Sequence, residues 1–501
     1  MSQLCLCLTG STLAENLRAL DMYRGRIDLA ELRADCLDPN EVFHLRSFPE
    51  RTGIPTILSV RRRADGGYFD DGEGARLVVF AKGLAFASRD RRMNFAYVDI
   101  EQDFRIPALE EAARTFGTRI IRSRYCPGGL PEDLDGIWAE LSRDPYEIPK
   151  LAAVLRGIGE TRRLFEFADR RTDTERIVSG MGEYGFCFRI LTSRTGSMIN
   201  YASPSLAGLP PAAPGQATAE EYENVYRWRK IRKDYTIFGI LGGSSVLGSL
   251  SPSLHNTGYA ELGMPAVYLP FPADSLEQFL ALADELGVRG FSVTVPFKEK
   301  ILPYLTERTP EVSAIGACNT VVRTPSGWYG TNTDAAGFER SVLDFLKRPD
   351  LKGVRAAIIG AGGSARAVAY ALQKLGASAC VVNRGMNKAK QLAERHGFEW
   401  AGMNERAVEL LGRYNDLIIQ TTSVGMEGGP PGDPLEWYEF TGSESLMDII
   451  YNPKETPVMR RARLAGCAVA NGLGMLRAQG EIQFELFTGK KYPGLPFGNV
   501  I

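Results

Sequence analysis

Lys298 and Asp334 are a pair whose residue types suit proton transfer. Each stands where an apolar strand runs out. Thr294 and Lys298 follow Val293 and Val295 in Phe291-Ser-Val-Thr-Val-Pro-Phe-Lys298, and Asp334 ends Gly330-Thr-Asn-Thr-Asp334 after a short Trp328-Tyr329 strand. A lysine can protonate an alkoxide as it forms, and an aspartate can orient that lysine and balance its charge. Further on, Val354-Arg-Ala-Ala-Ile-Ile-Gly360-Ala361-Gly362-Gly363-Ser-Ala365 reads as a strand, a glycine turn and a helix start. It has the G-x-G-x-x-A form of a dinucleotide loop: Gly360 for the tight turn, Gly362 for close approach to a pyrophosphate, Ala365 for helix-strand packing. The helix N-terminus then offers unpaired N–H groups to the anion. The next strand ends at Asn383-Arg384, with Lys388 four residues on, where an acidic residue would hold the ribose of NAD. Two cations there favour a 2′-phosphate, so NADP is expected and the chemistry is hydride transfer.

A second lysine sits inside an apolar strand, Lys150 in Glu147-Ile-Pro-Lys150-Leu-Ala-Ala-Val154. Burial disfavours an ammonium, so such a lysine is expected to be neutral and nucleophilic, ready to form an imine. Other strands end in charges: Glu31 and Arg33 in Glu31-Leu-Arg33-Ala-Asp35, Arg61 after Leu58-Ser-Val60, and Glu101 in Val98-Asp-Ile-Glu101. Charges gathered at the ends of barrel strands read as an active site.

The elements that must hold these residues repeat one unit, a short apolar strand and then an amphipathic helix. Strands are predicted at Leu4–Leu8, Ile27–Leu32, Thr56–Val60, Phe95–Ile100, Arg119–Ile121, Ile148–Val154, Arg176–Val178 and Met198–Tyr201, with helical periodicity at Leu13–Met22, Gly74–Ala87 and Leu151–Ala168. Such a run predicts a closed (β/α)₈ barrel. A Pro, Ala and Gly-rich stretch from Pro204 to Pro214 and a charged, helix-like Glu220–Lys233 follow, and a domain boundary is placed within Glu220–Asp234. The second half alternates again, with strands at Ile237–Leu241, Ala266–Leu269, Gly290–Val295, Val354–Ile359, Ala379–Val382, Leu417–Gln420 and Leu446–Ile450. It is expected to divide near residue 336 into two lobes, the second a Rossmann domain.

At 501 residues the chain needs two or three domains. Its net charge of −1 lacks the basic excess that a nucleic-acid or anionic-membrane surface requires. The eight cysteines form no Cys-x-x-Cys pair, which suits a reducing compartment. The first strand is predicted from Leu4, so no targeting peptide is expected, and no apolar run is long enough for a membrane helix. A cytoplasmic enzyme acting on small molecules, without a metal, is expected.

The second half, about 235–501, resembles the shikimate dehydrogenase family. The likeness rests on Ser249-x-Ser251-Pro, Thr294-Val-Pro-Phe-Lys298, Asn319-Thr, Asn332-Thr-Asp334, Gly360-Ala-Gly-Gly, Asn383-Arg384, Thr422-Ser-Val-Gly-Met426, Tyr451-Asn-Pro and Gly474-Met-Leu-x-x-Gln479. The resemblance implies that Ser249, Ser251 and Tyr451 hold a substrate carboxylate. Thr294, Asn319 and Gln479 would bind ring hydroxyls, Lys298 and Asp334 would be catalytic, and Gly360, Ala361, Gly362, Gly363, Asn383, Arg384, Lys388 and Thr422 would hold NADP. Ala335 and Gln420 depart from a usual glycine and asparagine.

Residues 1–226 resemble the type I 3-dehydroquinate dehydratase family, through Glu31-x-Arg33, Arg61 with Gly66-Gly67, Lys150, Gly182 with Arg189, and Ala213-Pro-Gly-Gln216. The resemblance implies a Schiff base on Lys150, a substrate carboxylate on Arg189, and ring contacts from Glu31, Arg33, Arg61 and Gln216. Tyr125, in Arg119-Ile-Ile-Arg-Ser-Arg-Tyr125, stands where the family has its catalytic histidine, and Ala212 stands at a usual serine. A phenol with pKa about 10 is a poor base at neutral pH. Either dehydration is slow, or Tyr125 acts as base with its pKa lowered by Arg122, Arg124 or Lys150. Together the resemblances imply a fusion that turns 3-dehydroquinate into 3-dehydroshikimate and reduces that to shikimate. The rivals are an NAD-linked quinate/shikimate dehydrogenase and a dehydrogenase carrying a silent, scaffolding barrel.

Overall fold

A computed structural model describes residues 2–85, 88–171 and 175–494. The chain divides into two compact units, Met1–Tyr235 with Pro265–Leu286, and Thr236–Met264 with Gly287–Ile501. The first contains β1 (Gln3–Leu8), β2 (Leu29–Arg33), β3 (Thr56–Ser59), β4 (Tyr97–Glu101), β5 (Arg119–Cys126), β6 (Ile148–Val154), β7 (Ile177–Met181) and β8 (Ile199–Ala202). These run in the order β7-β6-β5-β4-β3-β2-β1-β8 with parallel pairing, a near-closed eight-stranded barrel. Alternate residues point inward. Cys5, Cys7, Leu29, Ile57, Ile121, Ile148, Ile177, Ile199 and Tyr201 pack as one buried interior cluster. Two residues further along the same inward rows come Glu31, Asp99, Lys150 and Ser179, so the polar side chains collect at the C-terminal end of the strands.

Local chemistry sets the helix limits. The helix Leu13–Met22 begins at a reciprocal cap, in which the Thr12 hydroxyl accepts from Glu15 N and the Glu15 carboxylate accepts from Thr12 N. The predicted helix Leu151–Ala168 is corrected to Ile158–Asp169, because β6 runs on to Val154 and the extended Gly157 (φ −170°) separates the two. The predicted Gly74–Ala87 is found as Gly72–Leu84, and residues 86–87 lie outside the described residues. Glu220–Lys233 does not form one helix. It is two short turns, Glu221–Val225 and Trp228–Lys230, broken by Arg227 at φ +48°.

The second unit opens with β9 (Thr236–Gly242), whereas β10 (Ala266–Pro272) and the helix Leu276–Leu286 group with the first unit. β11 (Val288–Val293), β12 (Glu307–Arg308), β13 (Thr320–Thr324) and β14 (Gly327–Thr331) complete a mixed sheet in which β9 and β11 are parallel while β11, β13 and β14 are antiparallel. A second, parallel sheet contains β15 (Arg355–Ile359), β16 (Ser378–Asn383), β17 (Glu399–Gly402), β18 (Leu417–Gln420), β19 (Ser445–Asp448) and β20 (Ala468–Ala470), in the order β17-β16-β15-β18-β19-β20. That is Rossmann topology, with its crevice at the β15/β18 reversal. Ala356 and Ile358 face one buried cluster and Ala357 and Ile359 the other, as a sheet covered on both faces demands.

Candidate active sites

In the second unit, Lys298 lies just beyond β11, and Asp334 is the first residue of the helix Asp334–Leu346. The Lys298 Nζ donates to Asp334 Oδ2 at 2.5 Å, with both residues buried. The other carboxylate oxygen accepts from Asn319 Nδ2 at 2.8 Å, and Asn319 Oδ1 accepts from Thr333 N at 2.8 Å. Both carboxylate oxygens are thus engaged, which fixes the orientation of Asp334 toward Lys298. Lys298 also donates to Ser364 Oγ at 3.2 Å. Its stem lies against Gly363, where an added Cβ would sit 3.0 Å from Lys298 Cδ.

These groups open on a pocket of about 190 Å³, lined by Ser249, Ser251, Thr294, Lys298, Asn319, Asp334, Tyr451 and Gln479, with Ser292, Ser364 and Gln483. Every residue expected at the substrate site of this half therefore lies around one cavity. Its volume is below the roughly 300–1,000 Å³ of drug-sized pockets and suits a small, hydroxyl-rich ring. Gln479 is brought in by the helix Leu473–Thr488, which crosses Asp334–Leu346 so closely at Gly337 that a Cβ there would meet Gln479 Cβ at 2.7 Å. Burial lifts the Tyr451 phenol above its usual pKa, against a hydrogen bond with Ser249.

Beyond the pocket, Gly360 turns the chain at φ +115°, and a Cβ added there would sit 2.5 Å from Thr421 Oγ1, so no side chain is tolerated. The helix Gly363–Lys374 starts with no side-chain cap, leaving its first N–H groups for a ligand. Ala361, Gly362, Asn383, Arg384, Gly385 and Lys388 line a cleft of about 530 Å³ that contains no acidic side chain. Uncapped N–H groups beside two cations fit a pyrophosphate and a further phosphate. Thr422 does not line this cleft; its hydroxyl accepts from Val424 N at 3.2 Å.

In the barrel, Glu31, Arg61, Tyr125, Lys150, Arg189 and Gln216 surround a pocket of about 20 Å³ together with Cys7, Tyr201, Ala212 and Ala213. Gln216 Nε2 donates to Cys7 Sγ at 3.1 Å, and Gln216 Oε1 accepts from Ala212 N at 3.0 Å, which ties the Pro204–Pro214 segment to the pocket wall. Arg33 departs from expectation and is not in the pocket wall. Its fork is taken by Asp35, with Nη2 to Oδ2 at 2.5 Å. Arg189 is buried and donates to Gly180 O at 2.7 Å; burial depresses its pKa, and no carboxylate faces it among the described residues. A buried guanidinium with no carboxylate opposite it is a site built for an anion.

Two expectations about proton affinity are overturned. Burial works against the Lys150 ammonium, but Asp99, Tyr125, Tyr201 and Glu31 outweigh it and hold Lys150 well above its usual pKa. The Nζ donates to Asp99 Oδ2 at 2.6 Å. Resting Lys150 is therefore an ammonium, not the neutral amine that burial alone predicts. Tyr125 is no ready base either. Burial raises its pKa, more than Arg61 and Lys150 lower it, and its hydroxyl donates to Asp99 Oδ2 at 2.7 Å. Arg122 is spent elsewhere, on Glu147 and Glu110 at 2.6 and 2.7 Å.

The type I 3-dehydroquinase family model matches residues 4–233. The models of the shikimate dehydrogenase substrate binding domain and of shikimate/quinate 5-dehydrogenase match residues 241–321 and 344–425. The shikimate dehydrogenase (NADP(+)) of Shouchella clausii is 39% identical over 260 residues, covering 51% of this chain and 93% of that protein. The chain belongs to the shikimate dehydrogenase family, with a type I 3-dehydroquinase unit ahead of it. A chloroplastic bifunctional 3-dehydroquinate dehydratase/shikimate dehydrogenase of Arabidopsis thaliana is 28% identical over 488 residues, 93% of this chain and 78% of that one. The crystal structure of the Aquifex aeolicus shikimate dehydrogenase has a TM-score of 0.48 and 33% identity, covering 54% of this chain and 97% of its own.

Two members of these sites go unpredicted from sequence. Asp99 was legible in principle, since it shares the inward row of β4 with Glu101 two residues on. Glu101 instead meets Arg76 at 2.8 Å, with its pKa lifted by burial to about 7. Ser364 sits inside the glycine loop, where serine is unremarkable, and only the fold brings it to Lys298. No described helix is long and apolar enough to cross a membrane.

Proposed function

We infer that this bifunctional shikimate-pathway enzyme dehydrates 3-dehydroquinate in its barrel and reduces the resulting 3-dehydroshikimate to shikimate in its second unit. The observation that carries the reading is the Lys298–Asp334 pair, fixed at 2.5 Å on the wall of a pocket next to an uncapped dinucleotide loop. NADPH, when bound, supplies the hydride. Ser249, Ser251 and Tyr451 bind the substrate carboxylate, and Thr294, Asn319 and Gln479 hold the ring hydroxyls. Lys298 gives its proton to the developing alkoxide while Asp334 keeps the ammonium aimed. Gly360, Ala361, Gly362, Gly363, Asn383, Arg384 and Lys388 would hold the cofactor, with Arg384 and Lys388 on a 2′-phosphate.

In the barrel, Lys150 forms an imine with the ketone of 3-dehydroquinate, Arg189 takes the carboxylate, and Glu31, Arg61 and Gln216 hold the ring. We assign residues 1–226 to the dehydratase, 233–335 with 471–501 to the substrate lobe of the dehydrogenase, and 336–470 to its nucleotide lobe. The test is absorbance at 340 nm with 3-dehydroquinate, NADPH and no other enzyme. Steady NADPH consumption is expected. Consumption only from added 3-dehydroshikimate would leave the barrel without its reaction.

A further inference from the structure

We propose that Asp99 and Tyr125 form a proton relay that lets Lys150 become an imine, a task for which the barrel pocket holds no histidine. The inference rests on the dehydratase reading above and names the groups that make it possible. Asp99 Oδ2 accepts two hydrogen bonds at once, from Lys150 Nζ at 2.6 Å and from Tyr125 OH at 2.7 Å. One oxygen thus touches the reacting nitrogen on one side and a phenol on the other. Tyr125 and Lys150 line the pocket, whereas Asp99 lies beneath them, buried in the floor. A proton leaving Lys150 has Asp99 as its acceptor at hydrogen-bond distance, and a proton needed in the pocket can come from the tyrosine hydroxyl. None of the protein's three histidines lines this pocket.

The relay balances in two passes. In the first, the ammonium gives a proton to Asp99, and the freed lone pair attacks the substrate carbonyl carbon as the C=O π pair moves to oxygen. Tyr125 protonates that oxygen and is reprotonated by Asp99. In the second, the nitrogen of the carbinolamine gives another proton to Asp99. The same path delivers it to the hydroxyl, which leaves as water while nitrogen's pair forms the C=N bond. A third proton stays on nitrogen. The site begins with an ammonium facing a carboxylate and ends with an iminium facing that carboxylate, so no charge is created in a buried volume. The phenol never has to act as a standing base. It gives and regains a proton within each pass, which a group that stays protonated at rest can do. Arg61, stacked 3.7 Å over the Tyr125 ring, fixes the ring's plane.

The experiment uses the full chain, 3-dehydroquinate and borohydride, with the reduced adduct on Lys150 followed by intact mass against quench time. The unaltered chain is expected to be trapped. Tyr125→Phe, which keeps the ring and removes the relay hydroxyl, should slow trapping by about 10²-fold or more while 3-dehydroquinate still binds by calorimetry. Asp99→Asn should lose trapping to at least the same degree, and Asp99→Glu should recover part of it. A role in packing alone would shift binding and thermal stability and leave the trapping rate of the bound complex unchanged. Trapping of Tyr125→Phe at the unaltered rate overturns the relay alone. No trapping in the unaltered chain overturns the imine reading and the relay with it.

Discussion

At the scale of residues, the dehydrogenase site is a chain of short, mutually supporting hydrogen bonds that ends on Lys298. Lys298→Ala should lower the rate of 3-dehydroshikimate reduction by roughly 10²–10⁴-fold, with little change in KM, because the lysine acts on charge that develops in the transition state. Steady-state kinetics with NADPH in excess reads this directly. Arg384→Ala should weaken NADPH by roughly 10- to 100-fold in kcat/KM, the worth of a charge-assisted hydrogen bond, and leave NADH unchanged. An equal loss for both cofactors would show that Arg384 does not meet a 2′-phosphate. In the barrel, Arg189 is a buried cation with no carboxylate opposite it among the described residues. Arg189→Met should raise the melting temperature, by about 2–4 °C for each kcal/mol recovered, while abolishing 3-dehydroquinate binding. Calorimetry can follow both. Much of this was legible in advance, because Lys298, Asp334, Ser249, Ser251, Tyr451 and Gln479 sit in stretches whose residue types already announce polar chemistry. The protonation of Lys150 was not. Burial alone argues for a neutral amine, and only the position of Asp99, brought from another strand, reverses the sign.

At the scale of elements, β19 shows how one buried group fastens a strand to the helix after it. Asp448, at the end of β19, is fully buried; its Oδ1 accepts from Ile450 N at 2.9 Å and its Oδ2 from Thr456 Oγ1 at 2.6 Å, Thr456 being the cap of the helix Pro457–Ala465. Burial raises its pKa from 3.8 to about 6. The folded state thus holds this proton more tightly than the unfolded chain. The contribution is fully present below pH about 4 and is lost as pH rises through about 6. Asp448→Asn, a neutral isostere, should flatten the stability profile between those limits and melt higher than the unaltered chain at pH 7.5. Thermal unfolding across pH decides it, and an unchanged slope would remove Asp448 as the cause. Element limits were readable where caps or strong periodicity marked them, as at Thr12 and Leu13–Met22. They failed at Leu151–Ala168, where an apolar run satisfies both periods, and at Glu220–Lys233, where a backbone reversal at Arg227 carries no distinctive side chain. β13 was missed because Thr320–Thr324 is short and polar at its end.

At the scale of the molecule, two pockets built in different units serve consecutive reactions. Lys150→Ala should abolish NADPH consumption from 3-dehydroquinate and spare it from 3-dehydroshikimate. Lys298→Ala should suppress NADPH consumption from both substrates while still releasing the conjugated enone product of the barrel, visible in the ultraviolet. Mixing the two variants should restore NADPH consumption from 3-dehydroquinate, because each chain contributes one intact site and the intermediate is a small diffusible acid. Failure of the mixture, with each variant active in its own half-reaction, would mean that the intermediate is passed within one chain. The barrel was legible as a fold from eight strand-helix repeats. The grouping of Pro265–Leu286 with it was not, since no local signal separates that segment from the strands on either side.

The barrel pocket, at about 20 Å³, has room for little more than a single water. A six-membered ring acid is larger than that, so binding requires a wider form of the pocket, and the Gln216 bonds to Cys7 and Ala212, which tie down the Pro204–Pro214 segment, oppose the widening. Substrate then binds only the fraction of molecules that is open, and the apparent affinity is the intrinsic one multiplied by that fraction. Loosening the segment would raise that fraction, so a weaker loop would make a tighter-binding dehydratase.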